Sequence, residues 1–200
     1  MIVLSGPSGA GKTTVYRELL AARPETRFSV SCTTRRPRNG ELDGRDYHFV
    51  SPAEFERKVQ EGDFLEHAEV HGNHYGTLKR DVLEQVQQAR DVLLDIDVQG
   101  ARQVRQAVHG TGLESVALFV FCGPPSFAEL ERRLRARASD PEEVIQRRLR
   151  NARTELQAWR EYEYVVINRT VPEAVRDLAA VVDAFRCRAS RFDPEIWNDD

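Results

Sequence analysis

The sequence predicts an α/β fold: a parallel sheet flanked by helices on both faces and interrupted by two insertions. Three observations carry this reading. Short apolar runs at 2–4, 92–96, 116–121 and 164–167 alternate with stretches of helical periodicity, the pattern of parallel strands joined by helical crossovers. The first run leads directly into GPSGAGKT at 6–13, a strand–loop–helix signature. The alternation is then broken twice, by a polar stretch from residue 33 and by an arginine-rich pair of helical patterns over 127–153.

Taken in order, a strand at 2–5 and a glycine-rich loop at 6–11 precede a helix over 12–22, with Val15, Leu19 and Leu20 on its inner face. Arg23-Pro24-Glu25 ends that helix, and Phe28–Ser31 alternates like a strand. Asn39-Gly40 and Asp43-Gly44 mark turns in the loop from Thr33 to Arg45, and Tyr47–Val50 is a short strand. Ser51, Pro52 and Glu54 open a helix as cap, first-turn proline and capping-box acid, and Gly62 closes it. Strands are expected at 64–70 and around Tyr75–Thr77, then a helix over 79–89. Val92–Asp97 reads as a buried parallel strand with acids at its C-terminal end, where open α/β sheets bind ligands. A helix over 100–109, a strand at 116–121, helices at 127–136 and 142–159 joined through Ser139-Asp140-Pro141, a strand at 164–167 and a helix over 172–188 complete the chain. The tail from Phe192 is acidic and expected to fray. The expected organisation is one domain over 1–200. Its core is 1–32, 90–126 and 154–190, with one insertion at 33–89 and a lid at 127–153.

Gly6, four residues, then Gly11-Lys12-Thr13 is the spacing of a phosphate-binding loop and gives the fold a P-loop NTPase character. Glycines let the backbone turn several N–H groups onto phosphate oxygens, and the following helix adds the positive end of its dipole. Gly6, Pro7, Ser8, Gly9, Ala10, Gly11, Lys12, Thr13 and Thr14 are the expected ATP-phosphate contacts. Lys12 is to reach the β- and γ-phosphates, and Thr13 is to offer its hydroxyl to Mg²⁺.

Composition narrows the partners. A net charge of −3 gives no case for general nucleic-acid binding, and no apolar stretch approaches membrane-spanning length. With no leader ahead of the first strand, a cytoplasmic protein is expected. Three cysteines without a CxxC pair argue against a disulfide framework. His67, His71 and His74 lie close together, but no cysteine completes a zinc pattern. Twenty-six arginines stand against three lysines, so most arginines reflect a background preference and only those within motifs are assigned a role. Oligomeric state cannot be read from the sequence.

A phosphate loop specifies a nucleotide and not a reaction, so the acceptor decides. Arg35, Arg38 and two tyrosines could hold a second phosphate. A carboxylate such as Glu66 can accept from N1–H and the 2-amino group of guanine, a donor pair that adenine lacks, and Asp97 can take a further donor. FSVSCTTRRPRNGELDGRDYHFV, FLEHAEVHGNHYGT and LLDIDVQGARQVR resemble, in order, the S-x-T-T-R-x-P-R…G-x-D-Y-x-F-V, F-x-E-x-A…G-N-x-Y-G-T and L-D-I-D-x-Q-G segments of guanylate kinases. The resemblance extends over essentially the whole chain.

That resemblance implies ATP + GMP ⇌ ADP + GDP with Mg²⁺, and probable use of dGMP is carried with it as an expectation. It implies that Ser31, Glu66, Thr77 and Asp97 contact guanine, that Arg35, Arg38, Tyr47 and Tyr75 bind the GMP phosphate, and that Arg137 and Arg148 are lid arginines. Lys12, Arg35, Arg137 and Arg148 form the expected catalytic set. Asp95 is expected to organise Arg35 or metal-bound water, and Asn168 to border the adenine. Cys32, Arg36 and Arg169 depart from the family pattern. Two rivals are a kinase of the same fold acting on a ribose bisphosphate, which has no use for Glu66 and Asp97, and a peptide-binding scaffold domain, which would not need GPSGAGKT intact.

Overall fold

The computed structural model describes residues 1–70, 72–136 and 141–192. Its first strand, β1 (Ile2–Ser5), is buried at every position because it lies in the middle of a five-stranded sheet. The strands that flank it come from far along the chain. In register, Ile2 stands opposite Leu93 of β7 (Val92–Asp95) on one side and Leu118 of β8 (Leu118–Gly123) on the other. β2 (Arg27–Phe28) pairs beyond β7 and β9 (Tyr164–Ile167) beyond β8, all in parallel. A strand covered on both faces has no polar side to alternate with, which is why these segments read as continuous apolar runs.

Successive side chains of β1 serve opposite layers. Ile2 and Leu4 pack with Val15 and Leu19 of α1 (Lys12–Ala22) and with Leu178, Val182 and Phe185 of α7 (Val171–Arg186). Val3 packs with Leu94, Val104 and Val108 on the other face, under α3 (Lys79–Gln87) and α4 (Val98–Val108). α5 (Phe127–Ala136) and α6 (Glu142–Gln157) share a separate apolar seam of Leu130, Leu134, Ile145, Leu149 and Ala152.

A second, four-stranded sheet has the order β4-β3-β6-β5, from β3 (Cys32–Thr33), β4 (His48–Phe49), β5 (Phe64–Val70) and β6 (Asn73–Leu78). Only β3–β4 is parallel within it. α2 (Pro52–Gln60) covers it through Phe55, which stacks on Phe64 at 4.6 Å between ring centres. The Ser51 hydroxyl accepts from the Glu54 N–H, as the capping pattern requires.

Several expected boundaries move, each for a local reason. The single strand expected over 28–31 is instead the link between two short strands of different sheets, β2 ending at Phe28 and β3 beginning at Cys32. Ser29 still donates to the Leu93 carbonyl at the core edge, whereas the Ser31 carbonyl already accepts from His48. The strand expected to reach Asp97 stops at Asp95, because the Asp97 carboxylate accepts from the Gly100 N–H at 2.8 Å and caps α4. That helix starts at Val98 accordingly. The strand expected at 116–121 is shifted to 118–123, since Glu114–Val116 forms a 3₁₀ turn first. The expected fraying of the tail concerns residues 193–200, and the 139–140 part of the junction between α5 and α6 likewise lies outside the described residues. Among the described residues, no helix is long and apolar enough to cross a membrane.

Candidate active site

The loop of 6–11 leaves β1 at the C-terminal end of the sheet. Gly6 has φ +142°, and a Cβ there would lie 2.1 Å from the Cys122 carbonyl oxygen of β8, so glycine is required for the chain to leave the sheet at this place. α1 then begins with no acidic residue in its first turn and no side-chain cap, which leaves its positive end to an external anion. Lys12 folds back, donating to the Gly6 carbonyl at 2.7 Å and standing 3.8 Å from the Asp95 carboxylate. Thr13 and Thr14 are exposed at the helix start.

The loop is also held from outside. Asn168, buried at the end of β9, donates to the Ala10 carbonyl at 2.8 Å. Arg133 of α5 donates to that same carbonyl at 3.2 Å and to the Asn168 carbonyl at 2.9 Å, while Glu129 accepts from its Nε.

Two adjoining cavities open beside the loop. The first, about 320 Å³, is lined by Gly6, Ser8 and Lys12 on one wall and by Ser31, Tyr47, Tyr75, Glu66 and Asp97 on another. Arg148, Asn151 and Glu155 of α6 form a third wall. The second, about 790 Å³, is lined by Thr13, Arg35, Arg38 and Glu41, and shares Ser31, Tyr47, Tyr75 and Asp95 with the first. Thr77 lines neither. It is buried, and its hydroxyl donates to Glu66 Oε1 at 2.6 Å. Arg137 lies outside the described residues.

Three acids in this space are raised by burial. Burial pushes Glu66 up to about 7, with Asp97 adding to the shift and the Thr77 hydrogen bonds opposing it. Burial also raises Asp95, against the pull of Lys12. Glu155 is raised by burial too, opposed by Lys12 and by the Ser8 N–H. On the acceptor side, the Arg35 guanidinium lies over the Tyr47 ring at 5.3 Å, and the Tyr47 and Tyr75 rings meet edge to face at 5.9 Å. A cationic loop, buried Glu66 with half-buried Asp97, and an arginine–tyrosine cluster thus border one continuous space, which suits a base, its phosphate and a second phosphate chain.

The sequence matches the guanylate kinase family over residues 1–185. The chain belongs to that family. It is 48% identical over 195 residues to the guanylate kinase of Syntrophotalea carbinolica, covering 98% of this chain and 90% of that one. To the guanylate kinase of Cereibacter sphaeroides it is 48% identical over 191 residues, covering 96% and 89%. Among solved structures, the crystal structure of guanylate kinase from Anaplasma phagocytophilum superposes with a TM-score of 0.78 at 32% identity, covering 96% of this chain and 88% of that one.

Beyond the motif residues, the fold of this guanylate kinase family member brings three more to the site or its loop. Glu41, Arg133 and Glu155 escape the motif reading. For Glu155 a signal exists, because Arg148, Asn151 and Glu155 recur at the spacing of one helix face. Arg133 gives none among so many arginines, since its partners Ala10 and Asn168 belong to other elements.

Proposed function

We propose that the protein transfers the γ-phosphoryl group of ATP to GMP, giving ADP and GDP, with the loop of 6–13 holding the donor and the two adjoining cavities holding the acceptor. The observation that supports this most directly is that buried Glu66 and half-buried Asp97 line the same cavity as Lys12. Ionised Glu66 has two acceptor oxygens for N1–H and the 2-amino group of guanine, and one is already oriented by Thr77. Adenine presents no such donor pair. Ser31 and Asp97 border the same space, and Arg35, Arg38, Tyr47 and Tyr75 would take the GMP phosphate beside them. No side chain is tied to the ribose 2′-hydroxyl, so dGMP is expected to be accepted as well.

The acceptor phosphate is already an anion, so the reaction needs alignment and neutralisation of charge more than a strong base. Lys12, Arg35 and Arg148 bring positive charge to the three sides of the cavities, and Arg137 would join them from the lid. α6 over the first cavity helps to keep water from competing for the phosphoryl group. The oxygen donors present also suit Mg²⁺: an exposed Thr13 hydroxyl at the helix start and the Asp95 carboxylate line the same cavity, and such ions complete their shell with substrate phosphates and water. Thr13 would hold the ion, with Asp95 ordering its water, and when bound the ion supplies charge neutralisation between the β- and γ-phosphates.

A coupled assay with ATP and Mg²⁺ tests the reading by offering GMP, dGMP, AMP, inosine monophosphate and a ribose bisphosphate in turn. GMP and dGMP should be turned over, with inosine monophosphate well behind because it lacks the 2-amino group. Turnover of AMP or the ribose bisphosphate at the rate of GMP would remove Glu66 and Asp97 as readers of the base.

A further inference from the structure

We propose that Glu41 is a positioning residue for phosphate recognition: it grips one edge of the Arg35 guanidinium and holds the other edge ready for the acceptor's phosphate. The proposal rests on the assignment of the second cavity to the GMP phosphate.

The sequence makes the contact by a turn. Glu41 N–H donates to the Arg38 carbonyl, and Gly40 has φ +84° with a non-positive φ at Asn39, the arrangement of a type II turn that needs glycine at its third position. The turn folds Glu41 back over the segment it has just left. Its Oε1 then accepts from Arg35 Nη2 at 2.9 Å, and its Oε2 accepts from Arg35 Nη1 at 3.0 Å and from the Arg38 N–H at 2.7 Å. One carboxylate therefore fixes the side chain of the first arginine and the backbone of the second. The pair is largely sheltered, with 14% and 20% of the two side chains exposed, unlike the surface pair Arg57–Glu61 at 57% and 48%. Arg35 in turn holds the Glu41 carboxyl below its ordinary range, so the pair persists through neutral pH.

A guanidinium has five N–H bonds, and their use decides what Glu41 does. Both hydrogens of Nη1 are engaged, one by Glu41 and one by the Arg36 carbonyl at 2.8 Å. One hydrogen of Nη2 goes to Glu41. That leaves Nε–H and the second Nη2 hydrogen, which lie side by side and form a second fork of the kind that takes a phosphate bidentately. The Tyr75 hydroxyl bears on the same guanidinium and lines the same cavity. Phe49 and Tyr47 lie 5.9 and 5.3 Å from its centre and restrict its tilt. A phosphate can therefore bind Arg35 without displacing Glu41, and finds the fork already ordered.

Glu41 also carries a negative charge close to the phosphate, which by itself would weaken binding. The two roles differ in sign, so one measurement separates them. GMP binding is measured by calorimetry on the full chain without ATP, for Glu41→Gln, Arg35→Ala and the double variant, with ATP affinity and thermal melting as controls. Glu41→Gln keeps the shape and loses the charge-assisted grip, and is expected to weaken GMP about tenfold, the equivalent of roughly 1.4 kcal/mol. KM for GMP should rise by a similar factor, with kcat at saturation changed less. In the Arg35→Ala background the same substitution should lose most of its effect, because Glu41 acts chiefly through Arg35 and only its bond to the Arg38 N–H remains. Glu41→Asp, which keeps the charge on a shorter arm, should recover part of the loss, and it supplies the cycle if the Gln variant does not fold. Equal or tighter GMP binding by the Gln variant, or full additivity in the double variant, overturns the proposal. Unchanged GMP affinity in Arg35→Ala alone overturns the phosphate assignment, and the proposal with it.

Discussion

At Glu66, burial and recognition pull in opposite directions. Its carboxyl is pushed from 4.5 up to about 7, first by burial and then by Asp97, yet guanine N–H groups need it ionised. Guanosine is the useful ligand here, because the phosphate of GMP titrates near pH 6 itself, in the range of about 6 typical of phosphate esters. Guanosine affinity should level off near pH 8, until guanine N1–H itself titrates at higher pH, and fall toward tenfold per pH unit below about 7, and Glu66→Gln should bind weakly without that acid-side slope. A slope that survives in the Gln variant assigns the proton elsewhere. For the empty protein the folded value lies above the unfolded one, so the stability linked to Glu66 is fully present below 4.5 and is lost as pH rises through about 7. The residue scale also marks what the sequence can disclose. Lys12 is legible from the spacing of its loop, and Glu66 and Asp97 from segments that resemble those of the family. Glu41 and Arg133 are not, since a turn or a distant element brings their partners to them.

Among elements, the junction between α4 and β5 shows how a helix can stand in for a strand. β5 is the edge of the second sheet, and its outer peptide groups lack a strand partner at His67. The Gln103 side chain of α4 supplies both halves of the missing pair, donating to the His67 carbonyl at 2.7 Å and accepting from its N–H at 3.0 Å. Gln103→Leu removes both bonds and should cost about 1 kcal/mol or somewhat more. Amide exchange at His67 should accelerate relative to Ala68 and Glu66, and chemical denaturation should report the stability loss. Unchanged exchange at His67 would show that the amide does not protect this edge. The same scale explains where the sequence stops short. Parallel strands are legible from apolar runs, but their ends depend on partners. Phe28–Ser31 alternates like one strand but bridges two sheets, hydrogen-bonding to β7 at Ser29 and to β4 at Ser31, and Asp97 ends β7 early only because Gly100 is placed to donate to it.

For the whole molecule, three separate parts surround the first cavity: the phosphate loop, the second sheet and α6. The two departures from strand–helix alternation are legible in composition, whereas the directions in which they pack are set by apolar seams that no local pattern names. Arg35 and Arg148 line the two adjoining cavities from different parts of the fold, and binding both nucleotides should draw the parts together through the contacts these arginines make to phosphate. A bisubstrate analogue should lower the radius of gyration in small-angle scattering, and Arg148→Ala should cut kcat tenfold or more while leaving GMP affinity near its original value. An unchanged scattering curve with a fully active variant would sink this closure. The placement of β1 has a further consequence, in time instead of space. The strand that launches the phosphate loop is the central one, yet its partner Leu93 is reached only after the second sheet and α3 have been made, and Leu118 only after α4 as well. At roughly 5–20 residues per second of synthesis, Ile2–Ser5 waits on the order of 5–20 seconds for its first neighbour. Throughout that interval the nascent chain carries an apolar strand unpaired, and the parallel sheet forms late, from strands distant in sequence, so slow folding with exposure to aggregation is the expected cost of this topology.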